Sequence, residues 1–118
     1  MRLTDSEWKI ANCLWNNECM TLTELTRDLL ESTGWTKHTV ITLLKRMVEK
    51  GIVTFEQEGR TKKFYPAIDR TEAELEETNS FIDKVYEGNV GLMISNLIGS
   101  EALTEKQLAE IKRMIEEI

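Results

Sequence analysis

Residues 36–46 combine hydrogen-bond donors, hydroxyl groups and cations on what the spacing predicts to be one helix. Val40, Leu44 and Met47 face one way at 3.6-residue spacing, and polar side chains lie on or near the opposite side. Such a polar face suits DNA base edges and phosphates, and the free N–H groups near Thr39 suit a phosphate. The alternative is an ordinary solvated helix face. The predicted DNA contacts here are Lys37, His38, Thr39, Ile41, Thr42, Lys45 and Arg46.

A second group of cations, Arg60, Lys62 and Lys63, follows in a polar stretch that contains a glycine. β-Branched and aromatic residues at 52–55 and 63–65 flank residues 56–61, which predicts a two-stranded hairpin. Cations on such a wing can lie along the DNA backbone or in the minor groove. Strand alternation sends Lys62 and Lys63 to opposite faces, so the predicted contacts are Arg60 and one lysine, assigned as Lys62. The alternative is a charged edge strand that discourages aggregation.

The distribution of charge separates two parts of the 118-residue chain, whose net charge is −6. Residues 1–70 hold 11 Lys and Arg against 10 Asp and Glu, whereas residues 71–118 hold 4 against 11. An asymmetry of this kind suggests two functions in one chain. The first part suits phosphates, and the acidic second part requires another explanation.

The elements that would position these cations follow from helix start signals and hydrophobic spacing. Capping-box spacing marks the first two helices, at Thr4 with Glu7 and at Thr21 with Glu24. The third helix begins near Thr36, and Pro66 ends the second strand of the hairpin. Three helices followed by a hairpin are a winged helix-turn-helix arrangement, with the third helix as candidate for the major groove. We therefore expect a mostly α-helical protein with a small β-hairpin and a DNA-binding domain over residues 1–70.

Residues 71–118 are predicted to form three more helices and a dimerisation domain. Two of these helices begin at capping boxes, Thr71 with Glu74 and Thr104 with Gln107. Residues 90–98 are apolar almost all round, so both sides of that helix need covering. A block this short rarely buries enough surface to fold alone, and a second copy of the chain is the simplest remedy. The predicted dimer contacts are Ile82, Tyr86, Met93, Leu97, Leu108, Ile111 and Ile115.

Several short motifs follow one another along essentially the whole chain, in an order and at a spacing that can be compared with those of known families. They are Glu7-Trp8, Trp15, the run Thr36-Lys37-His38-Thr39-Val40 into Thr42-Leu43-Leu44-Lys45-Arg46-Met47, Lys50-Gly51, Phe64-Tyr65-Pro66, Phe81-Ile82-Asp83-Lys84-Val85-Tyr86 and Asn96-Leu97. In this order the chain resembles the penicillinase-repressor family (BlaI/MecI/CopY), and the BlaI/MecI branch most. The resemblance implies a homodimeric transcriptional repressor with N-terminal winged-helix domains. Two-fold symmetry would match double-stranded DNA with a palindromic operator.

Two departures from the family pattern narrow what the resemblance implies. The copper-responsive branch carries a cysteine-rich C-terminal tail, and this chain has no cysteine after Cys19, so copper sensing by that route is not expected. The β-lactam branch is inactivated by proteolysis at an Asn–Phe bond, which Asn96 and Leu97 match with leucine in the aromatic position. Asn96-Leu97 is therefore the candidate cleavage site. The implied further partner is a membrane sensor protease or a protease downstream of it.

Other kinds of site find no support in the residues. No constellation for nucleophilic or acid–base catalysis is present, so neither an enzyme nor a cofactor is expected. The single histidine, His38, matches no zinc spacing with Cys13 and Cys19, so no metal site is expected. With neither a secretory signal nor an apolar stretch of roughly 20 residues, we expect a cytoplasmic protein with reduced thiols and no membrane insertion. Trp8 and Trp15 are predicted core residues.

Two alternatives to a dimeric repressor stay open on the sequence alone. One is a protein-interaction adaptor, in which the winged helix binds protein and the acidic helices form the contact. Steep loss of DNA affinity with salt would exclude it. The other is a small-molecule-responsive repressor with an effector pocket at the dimer interface, which a tightly packed dimer core would argue against.

Overall fold

The computed structural model describes residues 2–118, which form six helices and one small antiparallel sheet. The helices are α1 (Asp5–Asn17), α2 (Leu22–Thr33), α3 (Lys37–Glu49), α4 (Arg70–Tyr86), α5 (Val90–Gly99) and α6 (Glu105–Glu116). The strands are β1 (Met20–Thr21), β2 (Val53–Glu58) and β3 (Thr61–Pro66). The predicted fold class, mostly α-helical with a small β-hairpin after the third helix, is confirmed.

Side-chain caps explain where most of these helices begin. The Thr4 hydroxyl accepts from the Glu7 N–H at 3.2 Å, and the Glu7 carboxylate accepts from the Thr4 N–H at 2.9 Å. Thr21 and Glu24 repeat this capping box at the start of α2 with the same two distances. Each box satisfies two N–H groups that a helix start otherwise leaves without partners. The capping boxes predicted at these two starts, and the one at α6, are confirmed.

The predicted cap of α4 is wrong by two residues. The helix begins at Arg70, and the Asp69 carboxylate accepts from the Glu72 N–H at 3.0 Å. Aspartate is at least as good an N-cap as threonine, and its charge also interacts favourably with the helix dipole. Asp69 therefore takes the position that spacing alone gave to Thr71.

One apolar core holds the first three helices and the sheet together. Its fully buried members come from α1, α2 and α3, and they are Ile10, Leu14, Leu25, Val40, Leu44 and Met47. Trp8, Trp15 and Trp35 are half-buried and pack against this core. The rings of Trp8 and Trp15 lie 5.8 Å apart, and these two predicted core residues lie at the edge of the core.

The hairpin is longer than predicted and joins a third strand. The polar residues of the expected connection pair in register up to Glu58 opposite Thr61, so only Gly59 and Arg60 form the turn. Gly59 has a φ of 62°, a left-handed conformation that glycine adopts without steric cost. On the other edge β1 pairs with β3, with Met20 opposite Phe64, and the strand order is β1-β3-β2.

The chain divides into two compact units, residues 1–75 and residues 76–118. The division falls inside α4, five residues after the boundary expected from the sequence. In the second unit neither α5 nor α6 has a buried residue. Along residues 2–118, no helix has the length and apolar character needed to cross a membrane.

Candidate nucleic-acid interface

The exposed face of α3 carries five of the predicted DNA contacts. Val40, Leu44 and Met47 are buried in the core, which fixes how the helix is rotated about its axis. The opposite face is solvent-exposed and presents Lys37, His38, Thr42, Lys45 and Arg46. Neither Lys45 nor Arg46 forms an ion pair with another side chain among residues 2–118, so both are available for a ligand.

The Thr42 hydroxyl has a defined orientation. It donates to the backbone carbonyl oxygen of His38 at 2.9 Å. Because a hydroxyl has one hydrogen, the oxygen then presents only lone pairs to a ligand. Thr42 is therefore suited to accept from an amino group on a base edge, such as adenine N6 or cytosine N4.

The N–H and the hydroxyl group of Thr39 both contact the residue that caps α3. Its N–H donates to the Thr36 hydroxyl at 3.2 Å, and its own hydroxyl lies 3.3 Å from that of Thr36. Thr36 is the N-cap of α3, and Thr39 is half-buried. The helix cap therefore already uses the Thr39 N–H, and this donor is not one of the free N–H groups expected near the helix start for a phosphate.

The wing presents its cations on two different faces. Lys62 lies over the Phe55 ring with its Nζ 4.5 Å from the ring centroid, and the Phe55 and Phe64 rings are 5.9 Å apart. Lys63 points away from them and lies 3.6 Å from the Glu58 carboxylate. The predicted strand alternation is confirmed, and Lys62 is the lysine on the face that carries both aromatic rings.

Two clefts connect α3 with this face of the wing. One is lined by Ile41, Lys45, Val48, Glu49, Phe55, Lys62 and Phe64. The other runs past Ile41 to the start of α2 and is lined also by Thr21, Thr23 and Arg60. Lys45 of the helix and Arg60 and Lys62 of the wing thus line two clefts that share Ile41, Lys62 and Phe64. Ile41 lines both clefts and is half-buried, whereas the polar contacts predicted beside it are exposed.

Lys50 belongs to the fold and not to this surface. Its Nζ lies 2.6 Å from Oε1 of Glu7, whose side chain is fully buried. Burial is the largest influence on the pKa of Glu7 and raises it, but hydrogen bonds from Lys50 and the Thr4 N–H, with the charge of Lys50, outweigh burial and leave the pKa lowered. The contact joins residues 43 positions apart, and no local pattern signals it.

The predicted dimer contacts differ in how much surface they expose within one chain. Tyr86, Met93, Leu108 and Ile111 are half-buried, while Leu97 is 38% and Ile115 63% exposed. Ile82 is only 7% exposed, so it has little surface left for a partner. Asn96 is exposed, and the Asn96–Leu97 bond lies within α5, where the Asn96 carbonyl oxygen accepts from the Ser100 N–H at 3.0 Å.

The two cysteines are free and half-buried. Burial, with a smaller effect from the charge of Asp28, raises the pKa of the Cys13 thiol. Within the described part of the chain, residues 2–118, no three His, Cys, Asp or Glu side chains group as metal ligands.

Comparisons with known proteins agree with this geometry. A family model described as "Penicillinase repressor" matches residues 3–117. The "Penicillinase repressor" of Bacillus licheniformis is 24% identical over 116 residues, covering 98% of this chain and 91% of that protein. The solution structure of the DNA-binding domain of the repressor BlaI covers 61% of this chain and 93% of its own, at 25% identity and a TM-score of 0.55. Monomeric B. licheniformis BlaI in complex with the blaP half-operator matches at 25% identity and a TM-score of 0.54, covering 61% of this chain and 88% of its own. Because the family model spans nearly the whole sequence, this chain belongs to the penicillinase repressor family, and it is a DNA-binding transcriptional repressor of the winged-helix type.

Proposed function

We propose that this chain represses transcription as a homodimer that occupies a palindromic operator. In each protomer α3 would enter the major groove, and the wing would contact the adjacent backbone or minor groove. The observation that carries the DNA contact is the surface where α3 meets the wing, with Lys45, Arg60 and Lys62 lining its clefts and Arg46 exposed on α3. The complex of BlaI with a half-operator supports the same use of this fold.

The roles of these side chains follow from their chemistry. Arg46 is the candidate for a bidentate contact with a guanine edge, and Thr42 is suited to accept from an adenine or cytosine amino group. Lys45, Arg60 and Lys62 are positioned for phosphates. The predicted contacts Lys37 and His38 lie at the start of α3, where their exposed side chains would meet the backbone or the first base pair.

Dimerisation is supported by the apolar surface of the second unit. Val90, Leu92, Ile94 and Ile98 of α5 are each between 43% and 54% exposed in the single chain. Exposed apolar side chains concentrated on one short helix mark an interaction site, and a second copy of the chain would cover them symmetrically. The dimerisation domain over residues 71–118 is part of this proposal.

Release from DNA by proteolysis between Asn96 and Leu97 is the proposed regulation. Cleavage there would remove the end of α5 and all of α6, and with them exposed Ile115. Each protomer would keep its DNA-reading surface but lose part of the interface that links the two readers. A dimer binds two half-sites more tightly than a monomer binds one, because the interface joins its two readers. Weakening that interface would therefore lower the occupancy of the operator without loss of a DNA contact.

The test is selection of duplexes from a random library by the full chain, followed by sequencing and sedimentation. We expect selected sites with two-fold symmetric half-sites and a chain that sediments as a dimer at micromolar concentration. Selection of single, unpaired half-sites by a monomer would refute the dimeric mode. No enrichment of any duplex would favour the adaptor alternative.

A further inference from the structure

One of the two clefts between α3 and the wing, the one lined also by Val48 and Phe55, has a volume of about 220 Å³. We call it the α3–wing cleft, and its lining is the set already given: Ile41, Lys45, Val48, Glu49, Phe55, Lys62 and Phe64. Drug-sized ligands occupy pockets of roughly 300–1,000 Å³, while a cavity of about 150 Å³ accommodates benzene. The α3–wing cleft therefore suits one six-membered ring with a short substituent.

The floor of the cleft is apolar. Ile41 and Val48 come from α3, and Phe55 and Phe64 come from opposite strands of the wing. Phe55 is 38% exposed, although an aromatic side chain gains most from complete burial. A ring placed in the cleft would cover this surface, at about 25 cal/mol for each Å² removed from water.

The rim of the cleft carries two cations and one anion, which are Lys45, Lys62 and Glu49. The Nζ of Lys62 is held 4.5 Å above the Phe55 ring, so one positive charge stands at the edge of the apolar floor. The net rim charge of one positive unit complements a single carboxylate. Glu49 disfavours a ligand with two negative charges.

We propose that the α3–wing cleft binds a monocarboxylate with an aromatic ring, and that this ligand competes with DNA. The ring would lie on the four apolar side chains, and the carboxylate would pair with Lys45 and Lys62. Both lysines are phosphate contacts in the proposed function, on which the competition rests. A bound carboxylate would cancel the net positive charge of the rim, and the ligand would fill the space between the recognition helix and the wing.

Binding is tested first without DNA, by NMR titration of the full chain with phenylacetate. We expect saturable shifts centred on the Ile41 and Val48 methyl groups. Phenylacetamide has the ring without the charge, and acetate has the charge without a ring, so each should bind at least about tenfold more weakly. Equal binding of phenylacetamide, or no saturable shift with phenylacetate, would overturn the proposal.

Two variants locate the ligand. Glu49→Gln removes the anion from the rim and should tighten phenylacetate binding severalfold, because like-charge repulsion is lost. Val48→Trp fills the floor and should abolish binding, with the remaining NMR spectrum reporting that the fold is intact. An unchanged affinity in Glu49→Gln would contradict binding at this rim, even if Val48→Trp fails to fold.

Competition is tested with a duplex selected by the full chain. At ten times its Kd, a strictly competitive ligand should raise the apparent Kd of one reader for DNA about elevenfold by mass action. An unchanged DNA affinity at saturating phenylacetate would overturn the competition. If the chain fails to bind DNA without ligand, the proposed function fails, while the titration still decides whether the cleft binds the carboxylate.

Discussion

Lys50 Nζ and Glu7 Oε1 lie 2.6 Å apart and tie the end of the recognition helix α3 to the first turn of α1. The Lys50 side chain is 29% exposed, while that of Glu7 is completely buried. The contact removes one lysine from the cations that face a ligand. It also holds Glu7 charged, although its second oxygen, Oε2, is buried without a hydrogen-bond partner among residues 2–118.

Replacement of Lys50 by methionine should destabilise the fold by about 3 kcal/mol. The variant leaves the buried Glu7 charge without its partner, and an uncompensated buried charge is costly. Lys63→Met is the matched control, since it removes an exposed pair with Glu58 that is worth about 0–1 kcal/mol. Urea unfolding of both variants measures the difference. Equal losses would show that the Lys50 contact adds nothing beyond a surface pair.

Glu7 should make the free energy of unfolding depend on pH in the acid range. Its pKa is below the ordinary value of 4.5 in the folded chain, so its contribution is fully present above pH 4.5. That contribution is lost as the pH falls through the lowered pKa, because the unfolded chain binds the proton more readily. Glu7→Gln should therefore lose less free energy of unfolding than the wild type between pH 6 and pH 3. Parallel pH profiles of the two proteins would rule out this origin.

Alanine substitutions at two adjacent positions of the recognition helix, Arg46 and Lys45, should weaken DNA binding in different ways. Arg46→Ala should cost about 1–3 kcal/mol on the selected duplex and relax the preference at one base pair, as expected for a base-edge contact. Lys45→Ala should weaken binding about equally on all duplexes, as expected for a phosphate contact. Lys9→Ala, an exposed lysine on α1, is the control. Wild-type affinity in both α3 variants would exclude this helix from the interface.

The DNA-reading helix was predictable because its signals are local. The buried stripe Val40, Leu44 and Met47 fixes the exposed face, and Thr36 marks the helix start. Contacts between distant segments were not predictable in this way. β1 has two residues and owes its existence to pairing with β3, and Trp15 donates to the Ile68 carbonyl oxygen across 53 positions. Neither leaves a periodic pattern in the sequence.

Assembly should depend on the apolar surface of α5. Leu97→Asp or Met93→Asp would bury an unpaired charge at the proposed interface, at a cost of about 3–5 kcal/mol, and shift the chain toward monomer. Leu30→Asp is the control, because Leu30 is an exposed apolar residue of α2 in the other unit. Sedimentation equilibrium reports the dissociation constant of the dimer. An effect of Leu30→Asp as large as that of Leu97→Asp would argue against a specific interface on α5.

Proteolytic release should be reproduced by a chain that ends at Asn96. This chain retains residues 1–75 but lacks α6 and the end of α5. We expect weaker dimerisation and weaker binding to a palindromic duplex, with binding to a single half-site unchanged. If the truncated chain dimerises and binds the palindrome as well as the full chain does, cleavage at this bond cannot be the switch.

The salt dependence of DNA affinity, measured with the full chain on a selected palindromic duplex, reports how many cations of α3 and the wing bind phosphates. Lys45, Arg46, Arg60 and Lys62 offer four cations per protomer. Arg46 is assigned to a base edge and the other three to phosphates, so log K should fall linearly with log salt concentration, with a slope of about −5 for a dimer and about −3 for one protomer. A slope of about −5 is the predicted result, and replacing one of these three residues by alanine should make it less steep by about two units, because a dimer then loses two phosphate contacts. A slope near zero, or no binding at low salt, would contradict a DNA-reading surface on α3 and the wing.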